Sequence, residues 1–377
     1  MSTALHVNLA WFPLVPRPRP PGLPLEARIA ELTALTVGKR HGTRQDHATR
    51  AAEVLNKAAL VASDCAVPGL ARELCHHQYA LWARSAPLPA WAVRLAMQPV
   101  LNIPRQLIRD GHGDDADMML EALHQAAVDR ALADIDGMRV NFGTLTRTAG
   151  GYREARTLTW TALLADGTRA LAQAGHWKEA AERASAHRGT GTRLLDGRQA
   201  VILALLTSGG VDEAAKMTEH SAPAEPWEHA IQAMLRVLCQ QAAGHNPEPG
   251  IATMTAAALA LAQSQDPATT LPRTRIGLTA LTIAKGAGTH QARALRAALI
   301  TSASTDGYAA RDLLATVPVS SSLTCAQRSQ LQVLISECGL DTGTIPRHLN
   351  DQLTTATDRA ARTLTAAPTR TGAIGAQ

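Results

Sequence analysis

One turn pattern recurs along this chain, and it restricts the fold more than any other feature. A small residue, a glycine, two or three polar residues and then an alanine five positions after the glycine occur as Asp110-Gly111-His112-Gly113-Asp114-Asp115-Ala116 and Ala149-Gly150-Gly151-Tyr152-Arg153-Glu154-Ala155. The pattern returns as Ala174-Gly175-His176-Trp177-Lys178-Glu179-Ala180 and Ser208-Gly209-Gly210-Val211-Asp212-Glu213-Ala214. Weaker copies run from Asp64-Cys65-Ala66 to Ala71 and from Lys285-Gly286-Ala287-Gly288 to Ala292. Glycine supplies the left-handed residue that ends one helix. The acids that follow suit the positive end of the next helix. The alanine then sits where two helices approach most closely. The pattern therefore predicts helix, tight turn, helix, many times over.

Composition agrees. Hydrophobic residues make up 46% of the 377 positions but aromatics only 3%, so the apolar content is mostly Ala, Leu, Val and Ile. Ala and Leu are strong helix formers, whereas β-rich folds lean on aromatic and β-branched side chains. The length exceeds one ordinary compact core, a limit that stacked repeats escape because each unit packs only on its neighbours. The expected fold class is all-α.

Stretches such as RALAQAGHWKEAAERA resemble the turn of a tetratricopeptide repeat. The glycine anchors Gly111, Gly150, Gly175 and Gly209 are spaced 39, 25 and 34 residues apart, against a family period of 34. The resemblance implies a right-handed α-solenoid of antiparallel helical hairpins, roughly eight to ten of them, over residues 26–364. Residues 1–25 precede it as a proline-rich extended arm: the stretch 11–24, WFPLVPRPRPPGLP, holds six of the twenty prolines. Proline fixes φ and removes donors, so the arm is either a free tail or a low-entropy strand for a groove, its own or a partner's. Residues 365–377 read as a frayed tail.

Asparagine carries the most informative regularity for function. Of six asparagines, Asn56, Asn102 and Asn141 lie nine residues before the anchors Cys65, Gly111 and Gly150. Asparagine is a poor choice inside helices, and nine residues before the turn places each on the first helix of its hairpin. A primary amide offers donors and an acceptor together, which suits the N–H and C=O of an extended peptide. Intracellular peptide-pheromone receptors of the tetratricopeptide fold are similar in using such asparagine ladders, and the resemblance implies a peptide clamp at these three positions on the concave face. Capping or bridging of neighbouring helices is the alternative. Lys57, Arg105 and Arg147 would offer charge to carboxylates.

The segment Leu55–Trp82 resembles a block of uncharacterised actinobacterial helical proteins, some encoded beside peptide-modifying enzymes. That resemblance gives context, not chemistry. The rival function is a helical enzyme or accessory protein of ribosomal peptide maturation, such as a lanthipeptide-type cyclase, which would use the same groove but need an acid/base pair, with His76, His77, His112 and Tyr152 as the nearby candidates. No nucleophile triad, phosphate loop or HExxH is present in the sequence. Cys75-His76-His77 cannot converge on one ion from adjacent helical positions, and Asp114, Asp115 and Asp117 suit a helix start. No cofactor or metal is expected. Trp160 and Trp177 fit core positions.

Net charge is +5 and arginine outnumbers lysine 32 to 5, but no run of Lys/Arg concentrates the charge, so nucleic acid is not the expected partner. Five cysteines without CxxC spacing suit reduced thiols. The stretch Met1–Pro13 lacks the charged start and apolar core of a signal peptide, and Ile251–Gln263 is too short to span a bilayer. The expectation is a cytoplasmic, non-enzymatic module that binds a peptide or protein tail, with a homodimer left open.

Overall fold

The computed structural model describes residues 9, 11–37, 42–284 and 289–366. Asn8, the turn copy at residues 285–288 and the tail beyond Ala366 lie outside them. Helices dominate. In chain order they are α1 (Leu25–Val37), α2 (Arg44–Asp64), α3 (Pro68–Ala83), α4 (Ala90–Arg109) and α5 (Gly113–Asp129), then strands β1 (Leu132–Ile135) and β2 (Met138–Asn141). The short α6 (Phe142–Leu145) and α7 (Ala149–Ala162) lead through a π turn, Leu163–Gly167, into α8 (Thr168–Gln173), α9 (Trp177–Ala186), α10 (Asp196–Thr207) and α11 (Val211–Glu219). The series ends with α12 (Pro226–Ala242), α13 (Glu248–Ala262), α14 (Thr270–Ile283), α15 (His290–Ala303), α16 (Gly307–Ala315), α17 (Val317–Ser320), α18 (Cys325–Glu337) and α19 (Arg347–Ala366).

The recurrent turn has one physical form. Gly111, Gly175 and Gly209 take φ of +85°, +83° and +87°. Each left-handed residue donates its N–H to a carbonyl three residues back, and the next residue donates to one five back, as in His176 N–H to Leu171 O at 2.9 Å. That pairing satisfies the last carbonyls of the outgoing helix. The same next residue is the N-cap of the incoming helix, and its carbonyl accepts from the alanine four positions on, as His176 does from Ala180 at 3.0 Å. Ala71, Ala116, Ala180 and Ala214 are all 0% exposed, because they stand on the helix–helix contact. In the first copy the left-handed residue is Ala66, at φ +54°, not Cys65. Gly69 lies inside α3.

Space around Gly175 separates two effects. A Cβ there would meet nothing within 4 Å, so a substitution is resisted by φ alone. Gly175→Val should therefore cost about 1–2 kcal/mol, and Ala180→Leu about 1–3 kcal/mol through overpacking. Urea unfolding of both variants checks this; melting curves that match the parent would mean that the turn is not what holds α8 against α9.

Gly150 is not a turn of this kind. It lies in the first turn of α7, which Thr148 caps by accepting the Gly151 N–H at 3.0 Å. What precedes α7 is a β-hairpin. β1 and β2 pair antiparallel, Leu132 opposite Asn141 and Ile135 opposite Met138. Asp136 and Gly137 turn it with φ of +53° and +83°, the left-handed pair that a tight hairpin requires. Ala133, Ile135, Met138 and Val140 alternate inward, giving the hairpin its buried face.

The chain divides into two compact units. One comprises residues 25–167 and 339–377, the other residues 1–24 and 168–338. In the first, α2, α3, α4 and α5 pack each on the next, and α2 also touches α4. α19 returns from the far end of the sequence to lie on α1, α2 and α3. It does so because Leu349, Leu353, Ala356, Ala360 and Leu364 form one apolar stripe at helical spacing. The loop before it is tied down by Asp341 N–H to Asp64 O at 2.8 Å and Gly343 N–H to Cys65 O at 2.9 Å. In the second unit, helices from α8 to α16 again pack each on the next, and α12, α13 and α14 also reach the next but one.

Buried arginines staple the longer connections of the second unit. Arg198 donates to Ser221 Oγ at 2.8 Å and to the carbonyls of Gly191 and Met217. Arg273 gathers the carbonyls of Leu261, Ser264, Asp266 and Thr269 after α13. Such loops would otherwise bury unpaired backbone groups. Among the described residues no helix is long and apolar enough to cross a membrane.

Candidate peptide-binding site

The six residues expected to hold a peptide all fall in the first unit, and they do not behave alike. Asn56 on α2 and Asn102 on α4 come together. Asn102 Nδ2 donates to Asn56 Oδ1 at 3.0 Å, and Asn56 Nδ2 donates to Gln98 Oε1 at 2.7 Å. Three half-buried amides thus form a ladder across the α2–α4 contact. Its ends are open: neither the Gln98 NH2 group nor Asn102 Oδ1 has a protein partner among the described residues. One end donates and the other accepts.

The residues that carry those ends are spaced on the helix nearly as a strand spaces its polar groups. Gln98 and Asn102 are four apart on α4, which sets their Cβ atoms about 5–6 Å apart. An extended chain repeats its polar groups on one side every two residues, about 6.6 Å. Gln98 was invisible to the asparagine register because it is a glutamine; its place four residues before Asn102 was the available signal.

Asn141 is elsewhere. It ends β2 and caps α6, where Oδ1 accepts the Gly143 N–H at 3.0 Å. Its expected place on a helix was wrong because the Gly150 anchor begins a helix instead of ending one.

The cations are also partly committed. Lys57 Nζ bridges Glu31 and Glu53, the latter at 2.8 Å. Burial pulls its pKa down, but the two carboxylates outweigh burial and hold the ammonium above its ordinary value. Arg105 Nε meets Asp166 Oδ2 at 2.8 Å, pinning α4 to the π turn. Arg147 is exposed in the link between α6 and α7.

The second unit holds an extended strand in fact, and the strand is its own arm. Phe12 and Leu14 are buried in the core formed with Trp177, Leu194, Ile202 and Leu203. Gln199, 0% exposed on α10, faces the Leu14 backbone with both ends of its amide. Its Oε1 accepts the Leu14 N–H at 2.8 Å, and its Nε2 points to Leu14 O at 3.4 Å while donating to Leu194 O at 2.7 Å. Downstream, Arg17 pairs with Asp196 at 2.7 Å and Arg19 N–H donates to Ala268 O at 3.1 Å. The Arg19 guanidinium lies 3.7 Å from the centre of the Tyr308 ring. Gly22 ends the docked stretch: its N–H donates to Asp306 Oδ2 at 3.0 Å, and its carbonyl accepts the Gly307 N–H at 2.8 Å. Nothing larger than glycine fits there, since a Cβ would stand 2.8 Å from two backbone nitrogens. Asp196 is one consequence of this burial. Desolvation raises its pKa above the ordinary carboxylate value, against the opposing pull of Arg17 and Arg169.

Of the four acid/base candidates, two engage separate partners and two are exposed. His76 approaches Asp136 in the hairpin turn at 3.4 Å, where Arg72 competes for the same oxygen at 3.5 Å. Tyr152 donates to Gly143 O at 3.4 Å and carries Arg130 3.9 Å from its ring centre. His77 and His112 are exposed, His112 as the N-cap of α5. The buried thiols are poor nucleophiles: burial pushes Cys75 up to about 12 and Cys65 to about 11. Among the described residues, no group of three or more His, Cys, Asp and Glu side chains is placed to hold a metal ion. Trp177 is core, whereas Trp160 is 39% exposed beside Arg153 and Arg156.

Comparison with known proteins finds no family model that matches the chain, and no match among curated proteins or solved structures.

Proposed function

We propose that this chain is a non-enzymatic binding module that holds an extended peptide or protein tail, with its helical hairpins stacked as a tetratricopeptide-like, right-handed solenoid. The peptide would lie along α2 and α4. There the open donor of Gln98 and the open acceptor of Asn102 would engage its backbone, and Asn56 would hold both amides in register. Arg147, exposed in the link between α6 and α7, would offer charge to a carboxylate. The observation that carries the reading is the grip of Gln199 on Leu14, in which one amide meets both the N–H and the C=O of an extended strand. The maturation-enzyme reading has less support, because His76 and Tyr152 serve different local contacts and His77 and His112 are exposed.

Selection of ten-residue peptides from a random display library on the full chain supplies a ligand. Affinity and melting temperature are then measured for the parent, Asn102→Ala, Asn56→Ala and Asn141→Ala. Loss of a peptide hydrogen bond at Asn102 should cost about 1–3 kcal/mol, roughly five- to a hundred-fold in affinity, with a modest fall in melting because its one bond to Asn56 goes too. Asn56→Ala should weaken affinity similarly and lower melting, since it breaks the ladder at its middle. Asn141→Ala should cost about 1 kcal/mol of stability as a lost cap and leave affinity alone. Unchanged affinity in both ladder variants would end the proposal.

A further inference from the structure

The channel that holds the arm is built as a site, and its occupant leaves two buried polar atoms without a partner among the described residues. Its polar floor is specific: Gln199 for a strand's backbone, Asp196 for a cation, Tyr308 for a second cation, and Asp306 with Gly307 for a glycine that no other residue can replace. Two apolar anchors, Phe12 and Leu14, enter the core beside them. Yet the central ion pair is made end-on. Arg17 uses one nitrogen and Asp196 one oxygen, at 2.7 Å. Arg17 Nη1 and Asp196 Oδ1 are both buried without a hydrogen-bond partner among the described residues. Asp196 is itself only 7% exposed, so bulk solvent does not reach this pair freely. A guanidinium entering fork-on would satisfy both carboxylate oxygens and make a stronger pair than the arm does.

We propose that this channel is a binding site for a proline-rich, arginine-bearing strand of another protein, and that residues 11–22 are its resident, exchangeable occupant. The ligand class follows from the floor: an aromatic–proline–aliphatic anchor, an arginine three residues beyond the aliphatic, a second arginine two further on, and a glycine at the end. Proline suits such a strand because its extended form is already set before binding. A tethered arm competes at an effective concentration of the order of millimolar. The site is therefore closed to weak strands and open to one that pairs Asp196 better. The inference shares with the α2–α4 reading the idea that these helices hold strands by amide contact, but it concerns a different unit.

The test uses the full chain with a protease recognition sequence inserted between Leu23 and Pro24, where Leu23 is exposed. The probe is a dye-labelled synthetic peptide of residues 9–24. After cleavage of the folded protein, the peptide should replace the severed arm one for one, with the helical circular dichroism unchanged. Uncut protein should bind the same peptide roughly 100- to 1,000-fold more weakly. Asp196→Asn in the cut chain should weaken the peptide roughly tenfold, and Asn102→Ala should leave the exchange untouched, so that failure here and failure at α2–α4 remain distinguishable. A severed arm that cannot be displaced short of unfolding, or whose release melts the helices, would make it a permanent strap and overturn the proposal. Dimers of the uncut chain with exchanged arms would also overturn it, in favour of a second copy as the occupant.

Discussion

Gln199→Leu should lower the stability of the chain by about 2–4 kcal/mol, although leucine nearly conserves the volume and the position lies in an apolar helix. The side chain is fully buried, and three backbone groups depend on it: the Leu14 N–H, the Leu14 carbonyl and the Leu194 carbonyl. A buried backbone group left without a partner costs about 1–3 kcal/mol. The arm offers a way out, since it can lift away and pair with water, so the loss is limited by what docking of the arm contributes. Hydrogen exchange distinguishes the two routes. If the arm lifts, the Leu14 amide loses its protection while the amides of α10 keep theirs. A variant as stable as the parent, with Leu14 still protected, would mean that the amide contact contributes nothing.

Asp306→Ala should be of similar size, about 3 kcal/mol, because one carboxylate serves two structures. Oδ1 caps α16 by accepting the N–H groups of Tyr308 and Ala309 at 2.9 and 3.0 Å, and Oδ2 accepts the Gly22 N–H at 3.0 Å. A lost N-cap costs about 0.5–2 kcal/mol, and a hydrogen bond to a charged group about 1.5–3 kcal/mol. Asp306→Asn should keep the cap through its carbonyl oxygen but turn an NH2 group toward Gly22, losing mainly the second part. Both Gln199 and Asp306 act through the arm, so the double variant Gln199→Leu with Asp306→Ala should lose less than the two singles combined. Strict additivity in urea unfolding would place the two ends of the arm in independent contacts.

The turns were legible because three of them use glycine where φ is positive, and a glycine between two apolar helical runs marks the end of the first. Ala66 was harder to place: it adopts the same left-handed conformation without the residue that usually signals it. Asp136-Gly137 was a strong hairpin signal, flanked by alternating Ala133, Ile135, Met138 and Val140. It was lost among helical neighbours, since four-residue strands give only two turns of the period. Misreading that stretch as helix carried Asn141 with it. Asn56 and Asn102 did converge, because their turns are true helix ends and their helices are neighbours. Gln199 gave no warning. A single glutamine in DGRQAVILALL looks like a solvated position, and only the return of residue 14 to residue 199 buries it. The same holds for α19, whose apolar stripe carries no mark of which helices it would cover. Local chemistry was readable; pairing across more than a hundred residues was not.

Backbone recognition at α2–α4 is tested most directly by altering the backbone of the ligand itself. A selected peptide is resynthesised with one N-methyl group at each position in turn, leaving every side chain in place, and the affinity of the full chain is measured for each. Recognition through the Asn102 acceptor predicts a profile with one sensitive position. Methylation should weaken binding roughly tenfold or more at one position, where the N–H faces Asn102 Oδ1, with neighbouring positions tolerant. That loss should vanish in Asn102→Ala, which no longer presents the acceptor. A flat profile, with affinity governed by side-chain substitutions alone and the same in Asn102→Ala, would contradict the account.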